Sequence, residues 1–242
     1  MRLFRQIIMS MCFGLMAGGA IGAVGNPELG KEYTVLENAQ PVETGKKIEV
    51  IEFFAYYCPH CYALEPLMAA WVKKQGDNII FKRVHVSDSR AVPQQKLFFA
   101  LDALGKVDQF HLKAFQAIHV DRLRLQSDAE VLEFALKAGI DKQKFLDAYN
   151  SFSSQSKMNR AAQLMTIYGV NSWPMIAIDG RFVTAPAMAA STIGRVTEEG
   201  QNRALLPVMD WLLAKAQKEK AATAAHAYIA PTPASASASK KK

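Results

Sequence analysis

The residues of this chain best suited to chemistry are Cys58 and Cys61, two cysteines separated by two residues in the run Phe53-Phe54-Ala55-Tyr56-Tyr57-Cys58-Pro59-His60-Cys61. Such a pair can bind metal, hold a haem or exchange a disulfide. A structural zinc site needs four ligands, yet there is no second cysteine pair, and His85, His111, His119 and His226 show no spacing that would complete a set. Haem attachment needs His directly after the second cysteine, where Tyr62 stands. A purely structural disulfide is a poor use, because so short a loop restrains the unfolded chain little. Disulfide exchange is the reading that fits, and no metal is expected.

Exchange depends on compartment. Residues 1–25 read as a secretory signal: Arg2 and Arg5 give a positive start, Ile7 to Val24 contains no charge, and Ala23-Val24-Gly25 is a small-x-small cleavage site. The alternative is a membrane anchor, although this apolar stretch is at the lower limit for spanning and rich in Gly and Ser. The third cysteine, Cys12, lies inside this segment after Met11, without the small residues expected before a lipidated cysteine. Cleavage would leave Cys58 and Cys61 alone in an oxidising space.

The elements that must position the pair are legible around it. Residues 48–54, Ile-Glu-Val-Ile-Glu-Phe-Phe, are β-branched and aromatic and predict a buried strand. From Pro59, the residues Tyr62, Leu64, Leu67, Met68, Trp71 and Val72 recur at helical spacing, with proline favoured in the first turn and Pro66 expected to kink the helix. Cys58 then lies at a helix N-terminus, where free N–H groups and the dipole favour its thiolate, while Cys61 is shielded one turn further in. A helix end supplies about 0.3–1 kcal/mol and rarely ~2. Lowering a thiol by three pKa units takes about 4 kcal/mol. His60 and backbone N–H groups are expected to supply the difference. The alternative for His60 is a passive exposed helix residue.

These residues resemble the thioredoxin superfamily and, within it, the DsbA family of bacterial thiol:disulfide interchange proteins, which share the Cys-Pro-His-Cys motif. The resemblance also includes Gly30 to Leu36, Glu52-Phe53-Phe54, Glu65, and Gly169-Val170 leading to Pro174. It implies a cis-proline at Pro174 facing the disulfide; such bonds occur essentially only before proline. Trp173 precedes it, where the family more often has Val or Thr, and this departure bears on substrate preference. Glu52 falls where the family has a buried acid beneath the disulfide, with Arg83 near the place of its basic partner. Arg cannot deprotonate at useful pH, so a proton relay would run through Glu52 and water, and a structural ion pair is the equal alternative.

The chain has 242 residues, 50% of them hydrophobic and 21% charged, with 13 Phe, 7 Tyr and 3 Trp, a composition that excludes disorder over most of its length. No fixed-period repeat is present. Without Arg2 and Arg5 the formal charge falls from +7 to +5, and three of those charges are Lys240 to Lys242, so nothing argues for nucleic acid binding. Residues 91–156 read as helical: 93–104 stops at Gly105, 107–119 follows, Ser127 to Glu130 is a capping box, and Gly139 precedes a helix opened by Asp141. Met158, Ala161, Met165 and Tyr168 share a face of the next helix, 175–178 is a strand, and 193–215 contains a final helix with Trp211-Leu212-Leu213. Residues 221–242, mostly Ala, Ser, Thr and Pro before the lysines, predict a disordered tail. The expected fold is α/β: a thioredoxin fold of residues 26–90 and 157–220, interrupted by an all-helical domain of residues 91–156.

The expected function is a periplasmic protein-thiol oxidase that donates the Cys58–Cys61 disulfide to newly exported, unfolded proteins through a mixed disulfide at Cys58. Pro59, His60 and Glu52 are the expected redox-tuning residues; Tyr57, Trp173 and Pro174, with Tyr56, are expected to form an apolar substrate groove. No cofactor is required. The resemblance implies reoxidation by an inner-membrane, quinone-linked oxidase of the DsbB type, and a monomer is expected. The alternatives are a reductase or isomerase, whose known forms carry a dimerisation domain for which there is no room before Cys58, and a non-catalytic, chaperone-like module.

Overall fold

The computed structural model describes residues 26–42 and 44–229; the expected signal segment and residues 230–242 of the expected tail lie outside them. The chain runs β1 (Thr34–Val35), β2 (Ile48–Phe54), α1 (Pro59–Gln75), β3 (Ile79–His85), α2 (Val92–Ala103), α3 (Val107–His119), α4 (Asp128–Lys137), α5 (Lys142–Tyr149), α6 (Phe152–Tyr168), β4 (Met175–Ile178), β5 (Phe182–Thr184), α7 (Pro186–Ala189) and α8 (Glu198–Ile229). The five strands form one sheet in the order β1-β5-β4-β2-β3, with β2 parallel to β3 and antiparallel to β4.

Strand β2 is buried at every residue, as its apolar run requires, because both faces of the sheet are covered. Alternation sorts its side chains: Ile48 and Val50 join Leu64, Met68 and Trp71 of α1 and Leu205, Val208 and Leu212 of α8. Ile51 and Phe53 instead join a core built from α2 to α6, with Leu97, Phe98, Phe110, Phe115 and Phe134. At the end of β2, Phe54 contacts the rings of Tyr56, Phe98 and His111 with centroids 4.8–5.2 Å apart. The cysteine loop is thereby fastened to the inserted helices.

Most predicted boundaries hold: β2, α1 and α3 have the expected extents, and Ser127 and Glu130 close their capping box on α4. Two differ. Helix α6 runs unbroken from its Ser151 cap across the expected junction at 156/157. Helix α8 starts at Glu198 within the expected stretch, where Thr197 Oγ1 accepts the Gly200 N–H at 3.2 Å, but it ends later, so residues 221–229 are helical where disorder was expected. The run Ala221-Ala222-Thr223-Ala224-Ala225 has high helix propensity and extends a packed helix, which carries no nucleation cost. No helix among the described residues is long and apolar enough to cross a membrane.

Candidate active site

Cys58 is the N-cap of α1 with an extended backbone, φ −81° and ψ 115°, and Pro59 occupies the first turn. Its Sγ accepts the backbone N–H of Cys61 at 3.3 Å, the geometry usually filled by an oxygen cap. Both cysteines are free thiols; Cys58 is 4% exposed and Cys61 wholly buried. Cys58 is lowered to about 7, first by the hydrogen bond that the Cys61 thiol donates, against the cost of burial, then by the N–H groups of Cys61 and His60, and last by the His60 charge. Cys61 is driven strongly upward, first by burial and then by its bond to Cys58 and the Cys58 charge. The sulfurs are inequivalent, and the largest single influence lowering Cys58 is the Cys61 side chain, with the helix-end N–H groups and His60 after it. The i, i+3 spacing itself carried that signal, because it places both side chains on one face.

His60 is exposed but paired. Its Nδ1 lies 2.6 Å from Oε1 of Glu198 in the first turn of α8, with side chains 66% and 48% exposed. The Glu198 hydrogen bond is the largest influence raising His60 above its ordinary value. Glu198 has no signature in the sequence near the cysteines.

The Trp173–Pro174 bond is cis. The Cys58 thiol points to the Trp173 carbonyl at 3.5 Å, and the Trp173 ring meets Tyr57 edge-on, with centroids 6.3 Å apart. The Tyr57 hydroxyl donates to Asp88 Oδ2 at 2.6 Å; burial and then that bond hold its pKa up. A cavity of about 210 Å³ beside this loop is lined by His60, Trp173, Pro174, Pro186, Glu198 and Asn202, among others. Tyr56 does not join the expected groove. It is wholly buried, its hydroxyl lies 3.2 Å from His111 Nδ1, its N–H donates to His85 Nε2 at 3.2 Å, and its carbonyl accepts from His119 Nε2 at 2.8 Å. Tyr56 and Tyr57 both lie in the turn between β2 and α1, which sends Tyr56 into the core and leaves Tyr57 half-buried. His85 must be neutral to accept that N–H, and burial lowers it to about 4.

Beneath the cysteines, β2 and β3 place Glu52 opposite Arg83. Arg83 Nε donates to Glu52 Oε2 at 3.1 Å and Nη2 to Glu65 Oε1 at 2.8 Å, so one guanidinium spans two buried carboxylates. Burial raises Glu52, Arg83 opposes it, and the Glu65 charge adds to the rise; Glu65 is raised for the same first cause and opposed by Arg83. The other Glu65 oxygen lies 3.3 Å from His111 Nε2 without the alignment of a hydrogen bond. His111 is lowered to about 3, by burial and then by Arg83. The expected pair is therefore a four-member cluster. Among the described residues no group of three or more His, Cys, Asp or Glu side chains is placed to hold a metal ion.

Comparison with known proteins accords with this geometry. The sequence profile of the DSBA-like thioredoxin domain matches residues 49–192. A thiol:disulfide interchange protein DsbA from Burkholderia cepacia is 39% identical over 221 residues, 90% of this chain and 99% of that protein. Its counterpart from Bordetella pertussis is 35% identical over 73% of this chain and 88% of the relative. The crystal structure of Pseudomonas aeruginosa DsbA superposes with a TM-score of 0.71 at 32% identity, over 81% of this chain and 96% of that one. Reduced DsbA1 from Neisseria meningitidis gives 0.65 at 26% identity, over 80% and 96%.

Proposed function

The chain belongs to the DSBA-like thioredoxin family, and we propose that it is a protein-thiol oxidase whose exchanging pair is Cys58 and Cys61. The observation that carries the residue assignment is the inequivalence of the sulfurs, with Cys58 near 7 and Cys61 far above its ordinary value. A substrate thiolate attacks the Cys58 sulfur, the disulfide breaks, and Cys61 leaves and takes up a proton that its burial makes it hold. A second substrate thiolate then attacks the substrate sulfur of the mixed disulfide and expels Cys58 as a thiolate. Two electrons pass from the substrate thiols to the pair, leaving an oxidised substrate and a reduced enzyme. A stabilised Cys58 thiolate is a good leaving group, which favours this direction over reduction or isomerisation.

In this reading Pro59, His60 and Glu52 tune the pair, while Tyr57, Trp173 and Pro174 meet the substrate around Cys58. Substrates are unfolded exported proteins with reduced cysteines, in the periplasm, met by a monomer whose signal segment has been removed. The segments flanking the inserted helices form the thioredoxin-like unit. Reoxidation falls to an inner-membrane, quinone-linked oxidase of the DsbB type, and the exchange itself needs no bound cofactor.

The test is to mix the oxidised protein with a reduced, unfolded polypeptide and follow substrate disulfides and enzyme thiols together. One substrate disulfide should form per pair reduced. An oxidised protein that leaves the polypeptide reduced removes the proposal.

A further inference from the structure

Resting on that reading, we infer that Glu198 is a positioning residue for His60: its carboxylate holds the imidazolium beside Cys58 and so extends to higher pH the range over which the enzyme is strongly oxidising. The geometry is specific. Glu198 opens α8, His60 lies in the first turn of α1, and the two meet at 2.6 Å across 138 positions of sequence. The His60 backbone N–H and its charge both act on the Cys58 sulfur. The remaining walls around His60 bring no charge: the loop contributes Ser172, Trp173 and Pro174, the approach to α7 contributes Ala185 to Ala187, and α8 adds the amides of Gln201 and Asn202. The charged groups acting on His60 are therefore Glu198, on α8, and Cys58, at the head of its own helix, and both raise it.

The consequence follows by linkage. Reduction by thiols turns a neutral disulfide into a Cys58 thiolate and a Cys61 thiol, taking up two electrons and, above about pH 7, one proton. The new thiolate raises His60, so the reduced protein keeps the imidazole proton to higher pH than the oxidised protein does. While Cys58 is ionised an imidazolium stabilises the reduced form; above both midpoints it contributes nothing, and below about pH 7 the benefit fades as Cys58 takes up its own proton. Glu198 moves both midpoints upward. The oxidising strength that His60 confers then persists to a pH at which, without the carboxylate, it would have been lost. The direct repulsion between Glu198 and the thiolate has the opposite sign, grows in as Cys58 ionises through about 7 and is constant above that.

The experiment measures the equilibrium with reduced and oxidised glutathione from pH 6 to 8.5 for four proteins: the unaltered chain, Glu198→Gln, His60→Gln and the double variant. Glutathione ionisation cancels in their ratios. Divided by the same ratio in the His60→Gln background, the constant for reduction of the unaltered protein relative to Glu198→Gln should rise by about two- to fivefold to a maximum near the His60 midpoints and fall back above them, the scale of an exposed ion pair. In the His60→Gln background the same substitution should leave only the direct repulsion, a ratio that falls as Cys58 ionises and then levels off. The same pH dependence of the ratio in both backgrounds, whether flat or sloped, overturns the inference. So does a His60 imidazole NMR titration in the oxidised protein that does not move down in Glu198→Gln. Glutathione exchange without oxidation of an unfolded polypeptide would instead sink the functional proposal and leave this linkage standing.

Discussion

Helix α1 carries two ionisable regions about two turns apart, and they obey opposite rules. At its head, Cys58 is 4% exposed yet lowered, because the Cys61 thiol and backbone N–H groups all point at one sulfur. Deeper, Glu65 and its neighbour Glu52 are raised, although a guanidinium contacts both. Burial penalises the anion in both places. The difference is the number of donors per negative charge: several converge on Cys58, whereas Arg83 is divided between two carboxylates and His111 is neutral. Short-range donation, rather than exposure, decides which anion the fold tolerates.

The comparison breaks outright at its first member if Cys58 is replaced. Cys58→Ser should abolish polypeptide oxidation to the uncatalysed background, since no disulfide remains for the substrate to attack; a binding module would keep its biological activity. Removing the shared cation attacks the second region. Arg83→Met leaves two buried carboxylates without a counter-ion and should cost about 3–5 kcal/mol in denaturant unfolding at neutral pH, with part of the loss recovered on acidification as those carboxylates protonate. The third change separates donor from dipole. Cys61→Ala removes the largest contribution to Cys58, and a charge-assisted hydrogen bond is worth about 1.5–3 kcal/mol, or roughly one to two pKa units. Thiolate absorbance should show Cys58 titrating that much above its value near 7, and Cys61→Ser, whose hydroxyl can still donate, should move it less. Equally small shifts in the two variants would mean that the helix end does most of the work.

These contrasts also show what a sequence can carry. Cys58 and Cys61, the strand before them, the proline in the first turn and the Ser127 capping box are local patterns, and the fold keeps them because each is fixed by neighbours within a few residues. The predicted inequivalence of the sulfurs is of this kind. The Glu198 partner of His60 was invisible, since nothing local marks which of many surface acids will close on a residue 138 positions away. His111 was considered only as a metal ligand, and its place beside Glu65 depends on how α3 packs against α1. Tyr56 and Tyr57 look alike as two adjacent aromatics, and their separation depends on the conformation of the turn between β2 and α1, which composition does not encode.

The smallest effect is the most discriminating. Glu52 is raised in the folded protein, so the native state holds its proton to higher pH than the unfolded chain does. The cost of ionised Glu52 in the fold is therefore full above its native midpoint and vanishes as pH falls below the ordinary carboxylate value of 4.5. Glu52→Gln removes that cost while keeping an amide oxygen for Arg83, which retains Glu65 as its counter-ion. Stability should rise by on the order of 1 kcal/mol at neutral pH, with the gain shrinking towards zero on acidification through the carboxylate range, as measured by urea unfolding at several pH values. A loss of stability at neutral pH would mean that Arg83 needs both carboxylates. Glu52 would then be a stabilising ion-pair partner, and the contrast between the two regions of α1 would rest on Glu65 alone.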